Sequence, residues 1–253
     1  MDRREYERSF AYEGEHWWFR AKRALVLAML RRHGRGEGRG LDVGCGTGGM
    51  LQALAGHGRW VGSDAEPLAL AFARKRGLAR LVTADALALP FTSGAFDACL
   101  CLDVLYHRAV GSDAAALAEC HRVLAAGGLL VVTDSAFAWL RSAHDEAVHG
   151  RRRYTRGELV ARIRAAGFTP LFASYTYCLV FPAVAAFRLA RRLQGPEAGE
   201  GSDVFPLPPA LTAVLLAVQA VERTLLRWIP LPFGSSVLCV ARKQESASPG
   251  PGR

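Results

Sequence analysis

The stretch Gly40-Leu-Asp-Val-Gly-Cys-Gly-Thr-Gly-Gly49 constrains the fold of this chain more than any other. A short apolar lead-in ends in Asp42, glycines follow at Gly44, Gly46 and Gly48, and a helix-forming run begins at Met50. This is the pattern of a strand that stops and turns tightly into a helix, with no Cβ where something packs on the backbone. Turns of this kind hold dinucleotides when the spacing is G-x-G-x-x-G and the pyrophosphate rests on the helix N-terminus. Here the spacing is G-x-G-x-G, and Asp42 stands two residues before the first glycine. A carboxylate so placed repels a pyrophosphate and attracts a cationic head such as the ammonium of an amino acid.

Downstream, apolar segments alternate with helical ones as a parallel sheet covered on both faces requires. Leu41 to Val43 reads as the first strand and Gly49 to Ala55 as its helix. Trp60 to Ser63 reads as the second strand, with Pro67 opening a helix that runs to Lys75. Arg80 to Thr83, Phe96 to Leu102 and Gly128 to Thr133 supply further strands, and Asp113 to Leu124 an amphipathic helix before Gly127-Gly128. Ligands of such sheets sit outside the carboxyl ends of the strands. Asp64 follows the second strand, about twenty residues beyond the glycine turn, where a carboxylate suits the two hydroxyls of a ribose. With Asp42 and Asp85 it places acids at the tips of neighbouring strands.

The 253 residues, 51% of them apolar, suffice for one substantial core with an elaboration. A formal charge of +9 suits an anionic partner or simply a solvated arginine-rich surface. The basic residues are dispersed rather than gathered in a stripe, which argues against nucleic acid. Cys45, Cys99, Cys101, Cys120, Cys178 and Cys239 are scattered through apolar segments without zinc spacing, as expected of reduced side chains in the cytoplasm. Met1-Asp-Arg-Arg-Glu has no apolar run behind its charges, so no signal peptide is expected. Val204 to Val221, broken by prolines, falls short of a spanning helix.

Two further stretches carry chemistry: Leu102-Asp-Val-Leu-Tyr-His107 after the fourth strand, and Ala143-His-Asp-Glu-Ala-Val-His-Gly-Arg-Arg-Arg-Tyr-Thr155 after the fifth. The second gathers histidines, acids and arginines on the ligand edge, a composition suited to an anionic or polyhydroxylated molecule. Thr155 with Glu158 also reads as a capping box for the next helix. His144, Asp145 and His149 make a weak metal triad, all from one flexible segment, and no metal is expected.

The glycine stretch resembles motif I of the class I S-adenosylmethionine-dependent methyltransferases. His16-Trp-Trp-Phe19, Asp103-Val-Leu-Tyr-His107, His144-Asp-Glu with Arg152-Arg-Tyr-Thr155, and Leu231-Pro-Phe-Gly-Ser235 extend the likeness over nearly the whole chain, to a bacterial branch of the type 11 methyltransferase domains. The resemblance implies an α/β, Rossmann-like, seven-stranded and mostly parallel sheet with an antiparallel last strand, N-terminal helices, and a helical insertion before that strand. It implies S-adenosyl-L-methionine as cofactor, held by Asp42, Gly44, Gly46, Gly48, Asp64, Ala65, Asp85 and Ala86, with Asp103 as a further contact. The acceptor then approaches the ends of strands four and five. Tyr106, His107, His144 and His149 become the catalytic candidates there, and Arg152, Arg153 and Tyr154 the acceptor-binding ones. His107 suits a general base, which only a hydroxyl acceptor needs, because a sulfonium is already a good leaving group. The Asn/Asp-Pro-Pro-aromatic stretch of enzymes that methylate nucleobase or amide nitrogens is missing, and Cys99 and Cys101 lie within the strand, not after it as a cytosine nucleophile would. Tyr106 stands where the family has Glu, and Asp134-Ser135 where it has Pro-Ala; both departures are on the acceptor side.

The organisation expected is a helical cap (1–39), a cofactor-binding core (40–178), a helical insertion (179–233), the last strand of the core (234–243) and a disordered Ser/Pro/Gly-rich tail (244–253). Trp17, Trp18 and Phe19 of the cap either pack on the sheet domain or form a lid, with Arg20 or Arg23 near the cofactor carboxylate. The insertion comprises Phe181 to Leu193 with Arg188, Arg191 and Arg192, a loop from Gly195 to Asp203, and the apolar helix Ala210 to Trp228. Basic residues beside apolar faces suit a membrane surface; a helical pair that packs on the sheet or makes a dimer is the plainer reading. The function expected is O-methylation of a small lipid-linked or sugar-bearing acceptor, in the cytoplasm at the inner face of the membrane and without nucleic acid. The alternatives are a soluble O- or N-methyltransferase of specialised metabolites and a non-catalytic cofactor-binding docking module.

Overall fold

The computed structural model describes residues 2–34, 38–193 and 205–244. The Gly195 to Asp203 loop and all but the first residue of the 244–253 tail lie outside the described residues. The chain opens with α1 (Arg3–Tyr12) and α2 (Trp17–His33). No glycine or proline interrupts Trp17 to His33, so α2 runs unbroken across Arg23. His16 starts that helix by accepting a hydrogen bond from the Trp18 N–H.

Seven strands follow among the described residues: β1 (Arg39–Val43), β2 (Arg59–Asp64), β3 (Leu81–Thr83), β4 (Phe96–Leu102), β5 (Leu124–Ser135), β6 (Phe168–Thr176) and β7 (Ser236–Lys243). They form one sheet in the order β3-β2-β1-β4-β5-β7-β6. β1 to β5 pair in parallel, and β7 runs antiparallel to both β5 and β6. The order reverses at β1, so the carboxyl ends of β1 and β4 open a crevice next to the glycine bend. The remaining helices are α3 (Gly49–Ala53), α4 (Pro67–Lys75), α5 (Asp113–Val123), α6 (Ala143–Ala147), α7 (Arg156–Ala165), α8 (Phe181–Leu193) and α9 (Pro209–Leu225). Both halves of the capping box at the start of α7, Thr155 and Glu158, are formed.

Alternation along the central strands divides the core between the two faces of the sheet. Cys99, Cys101, Leu130, Val132 and Cys239 pack with Leu117 and Cys120 of α5 and with Leu159 and Ile163 of α7. Leu100, Leu129, Val131, Leu238 and Val240 pack with Leu25, Val26 and Met29 of α2, and Leu226 just past α9 joins them. All six cysteines are free and buried. The insertion is therefore tied to the body on the same face as α2. Its fastening is Glu222, 1% exposed, which accepts hydrogen bonds from the Tyr177 and Leu179 N–H groups at the bend after β6. Tyr177 holds a left-handed φ of 61° there, so the bend keeps its shape only while those N–H groups are answered.

Replacing Glu222 by Ala leaves the buried Tyr177 N–H and the part-buried Leu179 N–H without this acceptor and lowers stability by about 2 kcal/mol, whereas Glu222→Gln, which retains a side-chain oxygen, costs about 1 kcal/mol. Urea denaturation of the two variants beside the wild type measures the difference.

Candidate active site

The bend after β1 is built as its glycines demand. Gly44 has φ +68°, and a Cβ there would lie 2.5 Å from Cγ2 of Val104. Gly46 has φ +54° and a Cβ would meet nothing within 4 Å, so this part of the bend faces open space. Gly48, also left-handed, starts α3. The Asp64 carboxylate at the tip of β2 accepts from the Gly46 N–H (2.9 Å) and from the Glu66 N–H (2.9 Å), which ties the bend to the neighbouring strand. Beyond β3, Asp85 is exposed and turns its own loop by accepting from the Leu87 N–H (2.9 Å), with Ala86 half-buried beside it. Ala65 is exposed next to Asp64. The strand registers place the three acids at adjacent tips, as the sequence leads one to expect.

Asp42 is the unusual one. It is 2% exposed and its Oδ2 has no hydrogen-bond partner. Burial first, then the negative charges of Asp64 and Glu13, push its pKa up to about 8. An unanswered carboxyl beside two more acids, at a bend where backbone lies open, fits a ligand that brings a positive charge. The ammonium of an adenosyl amino acid is such a charge, and the residues present fit that group.

The N-terminal helices close over this crevice. Glu13, after α1, accepts from Thr47 Oγ1 in the glycine bend (2.6 Å) and pairs with Arg76 (2.7 Å). Arg76 in turn donates to the Thr47 carbonyl oxygen (2.9 Å) and to that of Phe10 (2.8 Å). Gly49 permits the approach, since a Cβ there would sit 2.5 Å from the Glu13 carboxyl carbon. Arg23 lines the crevice and donates to the Glu13 carbonyl oxygen (2.6 Å), whereas Arg20 is exposed. From α2, Lys22 pairs with Asp103, its ammonium 3.5 Å from the centre of the Trp18 ring. Burial pulls the Lys22 pKa well down, and Asp134 opposes that pull.

A second, larger chamber adjoins the first. The crevice holds about 200 Å³ and the neighbouring cavity about 470 Å³, and Trp18, Asp103, Tyr106 and Val148 line both. The cavity lies between Trp17 and Trp18 of α2 and the inserted helices, with Val180, Val184, Leu211 and Leu215 among its walls. Arg153, Asp145, Arg188, His16 and Ser135 supply its polar groups. Of the residues expected at the acceptor, Tyr106 and Arg153 are brought to it. Burial raises the Tyr106 pKa, so its hydroxyl stays protonated.

The other candidates go elsewhere. Arg152 and Tyr154 turn to Asp113 at the start of α5: Tyr154, 1% exposed, donates to its Oδ2 (2.8 Å), and Arg151, Arg152 and Arg162 also pair with it. A buried carboxylate at a helix N-terminus draws these donors away from the cavity. His107 lines neither chamber; its Nδ1 accepts from the Ala109 N–H (3.2 Å), and burial drives its pKa down to about 4. His149 lines neither chamber and pairs with Asp2 (2.9 Å) at the start of the chain. His144 falls on α6, and its side chain is outside the described residues. Glu13 and Lys22 went unread in the sequence. Lys22 had a signal, a cation three, four and seven residues before Leu25, Val26 and Met29 on a buried helix face; Glu13 had none.

A seven-stranded sheet in this order, with an acid-flanked glycine bend after β1, defines the class I S-adenosylmethionine-dependent methyltransferase fold. Residues 41–132 match the type 11 methyltransferase-domain family, so the chain carries a methyltransferase domain whose cofactor is S-adenosyl-L-methionine. The demethylmenaquinone methyltransferase of Thermus thermophilus is 42% identical over 122 residues, 45% of this chain and 52% of that protein. The malonyl-[acyl-carrier protein] O-methyltransferase of Geobacter sulfurreducens is 33% identical over 162 residues, 56% of this chain and 60% of that protein. The match thus spans less than two thirds of either relative. An S-adenosylmethionine-dependent methyltransferase from Thermotoga maritima, 21% identical, shares the fold with a TM-score of 0.61 over 95% of this chain and 96% of that one.

Asp42 makes the ligand-free protein pH-sensitive. Between the ordinary carboxylate pKa near 4 and about 8, the folded state keeps a proton that the unfolded chain has released, so stability falls as pH rises, by up to about 1.4 kcal/mol per unit. Thermal melts from pH 5 to 9 are expected to show that slope, and Asp42→Asn to reduce it and to raise stability at pH 8. Asp134, whose pKa burial also pushes up to about 8, contributes to the slope that persists in the variant, together with Glu13, Asp64 and Glu222, whose pKa values burial also raises.

Proposed function

We propose that this chain transfers a methyl group from S-adenosyl-L-methionine to an oxygen of a small acceptor with an apolar, lipid-like or lipid-linked body. The observation that carries the reading is the pair of joined chambers: an acidic crevice at the glycine bend, opening through Trp18, Asp103 and Tyr106 into a cavity walled largely by apolar side chains. Asp42, Gly44, Gly46 and Gly48 hold the amino-acid end of the cofactor, Asp64 with Ala65 its ribose, and Asp85 with Ala86 its adenine. Asp103, braced by Lys22, completes the wall between the chambers. When bound, the cofactor supplies an electrophilic sulfonium methyl.

The protein's work is then to position and to exclude water. Glu13, Thr47 and Arg76 fasten the N-terminal helices over the crevice. The protonated Tyr106 hydroxyl orients the acceptor, a role that suits a carboxyl oxygen, which needs no base. In keeping with this reading, one relative is an O-methyltransferase and the name of the other carries an apolar acceptor, demethylmenaquinone. A polynucleotide would have to thread a largely apolar cavity, so nucleic acid is not the acceptor favoured.

The insertion also supports contact with a membrane surface. No helix among the described residues is long and apolar enough to cross a membrane. Yet α9 exposes Val214, Val221 and Leu225 on one side, and beyond its end the exposed Arg227 precedes Trp228, which is 82% exposed. Apolar side chains next to cations suit an anionic lipid surface, where a lipid-linked acceptor is found.

Calorimetry is expected to show S-adenosylhomocysteine binding in the micromolar range, weakened about ten-fold or more in Asp64→Ala. Absence of binding by the wild type, or equal binding by the variant, contradicts the assignment. Transfer of labelled methyl into a cell extract distinguishes an enzyme from a docking module. Co-sedimentation with anionic liposomes, lost in the paired change Val221→Asp and Trp228→Asp, distinguishes membrane-surface action from action in free solution.

A further inference from the structure

His16 is a fixed polar group in the wall of the acceptor cavity. It is 9% exposed and lines the cavity but not the crevice. Its own N–H donates to the Tyr12 carbonyl oxygen (2.8 Å), its Nδ1 accepts from the Trp18 N–H (3.4 Å), and the rings of Trp17 and Phe19 lie 6.1 and 6.0 Å from its centre. Trp18 is the second residue of α2, where a backbone N–H has no partner within the helix, so Nδ1 is committed as an acceptor. Burial holds the ring pKa below its ordinary value, which leaves the ring neutral at pH 7 with its one proton on Nε2. That Nε2–H has no partner among the described residues. Unlike Asp42 Oδ2 it is not sealed in protein, so it opens on the space the ring lines.

A second neutral donor comes from the other side of the fold. Tyr106 and Asp134-Ser135, which the sequence singles out, meet at this cavity: the Asp134 carboxylate, 0% exposed, accepts from the Tyr106 N–H (3.1 Å) and from the Ser135 N–H (2.8 Å). The Tyr106 carbonyl oxygen accepts from the Arg151 N–H (2.7 Å), so the backbone that carries this side chain is held at both its polar groups. The Tyr106 hydroxyl, kept protonated by burial, has no partner among the described residues and is not sealed in protein either. Lys22, at the wall between the chambers, pairs with Asp103. Two neutral donors in a largely apolar wall suit oxygen acceptors and demand no charge. A donor placed on the attacking oxygen would draw its lone pair away from the methyl group, so these donors suit an oxygen beside the reacting atom, as in a carbonyl or carboxyl group.

Resting on the methyltransferase reading above, we infer that His16 is a specificity residue of the acceptor site: its Nε2–H, with the Tyr106 hydroxyl, donates to a carbonyl or carboxyl group of the acceptor. The apolar body of the acceptor then lies against Trp17, Val184, Leu211 and Leu215. The cap thereby reads the acceptor as well as covering the cofactor, because the bonds that fasten Glu13 over the glycine bend also fix the chain three residues before His16.

The test is equilibrium dialysis of the full chain, saturated with S-adenosylhomocysteine, against 2-acetylnaphthalene and 2-ethylnaphthalene, which differ by a carbonyl oxygen. His16→Asn keeps an oxygen to cap α2 but is too short to bring an N–H to the place of Nε2; His16→Ser, also a capping residue, repeats the test independently; Tyr106→Phe removes the hydroxyl. Each is expected to weaken the ketone about five-fold and to leave the hydrocarbon no weaker, with S-adenosylhomocysteine binding unchanged. Ketone binding that survives both His16 variants overturns the assignment. So does equal weakening of ketone and hydrocarbon, which a merely structural role for His16 would produce. A wild type that takes up S-adenosylhomocysteine but not the ketone overturns it as well. Failure of S-adenosylhomocysteine itself to bind sinks the methyltransferase reading instead, so the two failures are told apart.

Discussion

A carboxyl group driven into the interior beside two others is the constraint around which this molecule is arranged. Asp42, the last but one residue of β1, has one oxygen buried and unanswered, and Asp64 and Glu13 add negative charge around it. In water three acids could spread apart; here β1, β2 and the N-terminal helices fix them. The repulsion is relieved either by a proton on Asp42 or by a cation from outside. The bend supplies room for that cation, because Gly46 places no side chain over the crevice. Burial, charge and backbone shape therefore all favour one kind of ligand head.

The same helices that confine the acids also divide the two chambers. Glu13 and Arg76 fasten the cap to the glycine bend, and one turn into α2 Trp18 and Lys22 reach the wall between crevice and cavity. A single helix thus lines the crevice with Lys22 and Trp18 and the cavity with Trp17 and Trp18. The insertion completes the second chamber from the opposite side. Glu222 fixes its course by holding the bend after β6, and that course brings α8 and α9 over the cavity.

The arginine-rich run after β5 shows how a local pattern can be right in kind and wrong in detail. Arg151, Arg152 and Arg153 are consecutive and chemically alike. Asp113, on a different helix, collects the first two together with Tyr154, while Asp145, in α6, takes the third into the cavity wall. Which carboxylate each of these arginines reaches is a property of the packed helices and not of the run itself. The same reasoning covers His107 and His149: both are near the expected edge, and both are turned to partners of their own.

Much of the fold and of the cofactor site was legible in the chain order. Strands β1, β2 and β4, the capping box at Thr155, and the acids at the strand tips follow from alternation, glycine spacing and turn chemistry, which act between residues a few positions apart. Where β7 slots between β5 and β6, how far the cap closes, and which side chains face the acceptor depend on contacts between residues remote in sequence. Lys22 with Asp103, Glu13 with Thr47, and Arg188 beside Asp145 join segments that no local pattern links. The sequence by itself determined a sheet that ends in an acidic, side-chain-free bend, because backbone conformation at glycine and the period of a strand are local. Only the tertiary structure decided what closes over that bend and what the adjoining cavity can hold, because burial and the pairing of distant charges exist only once the elements have packed.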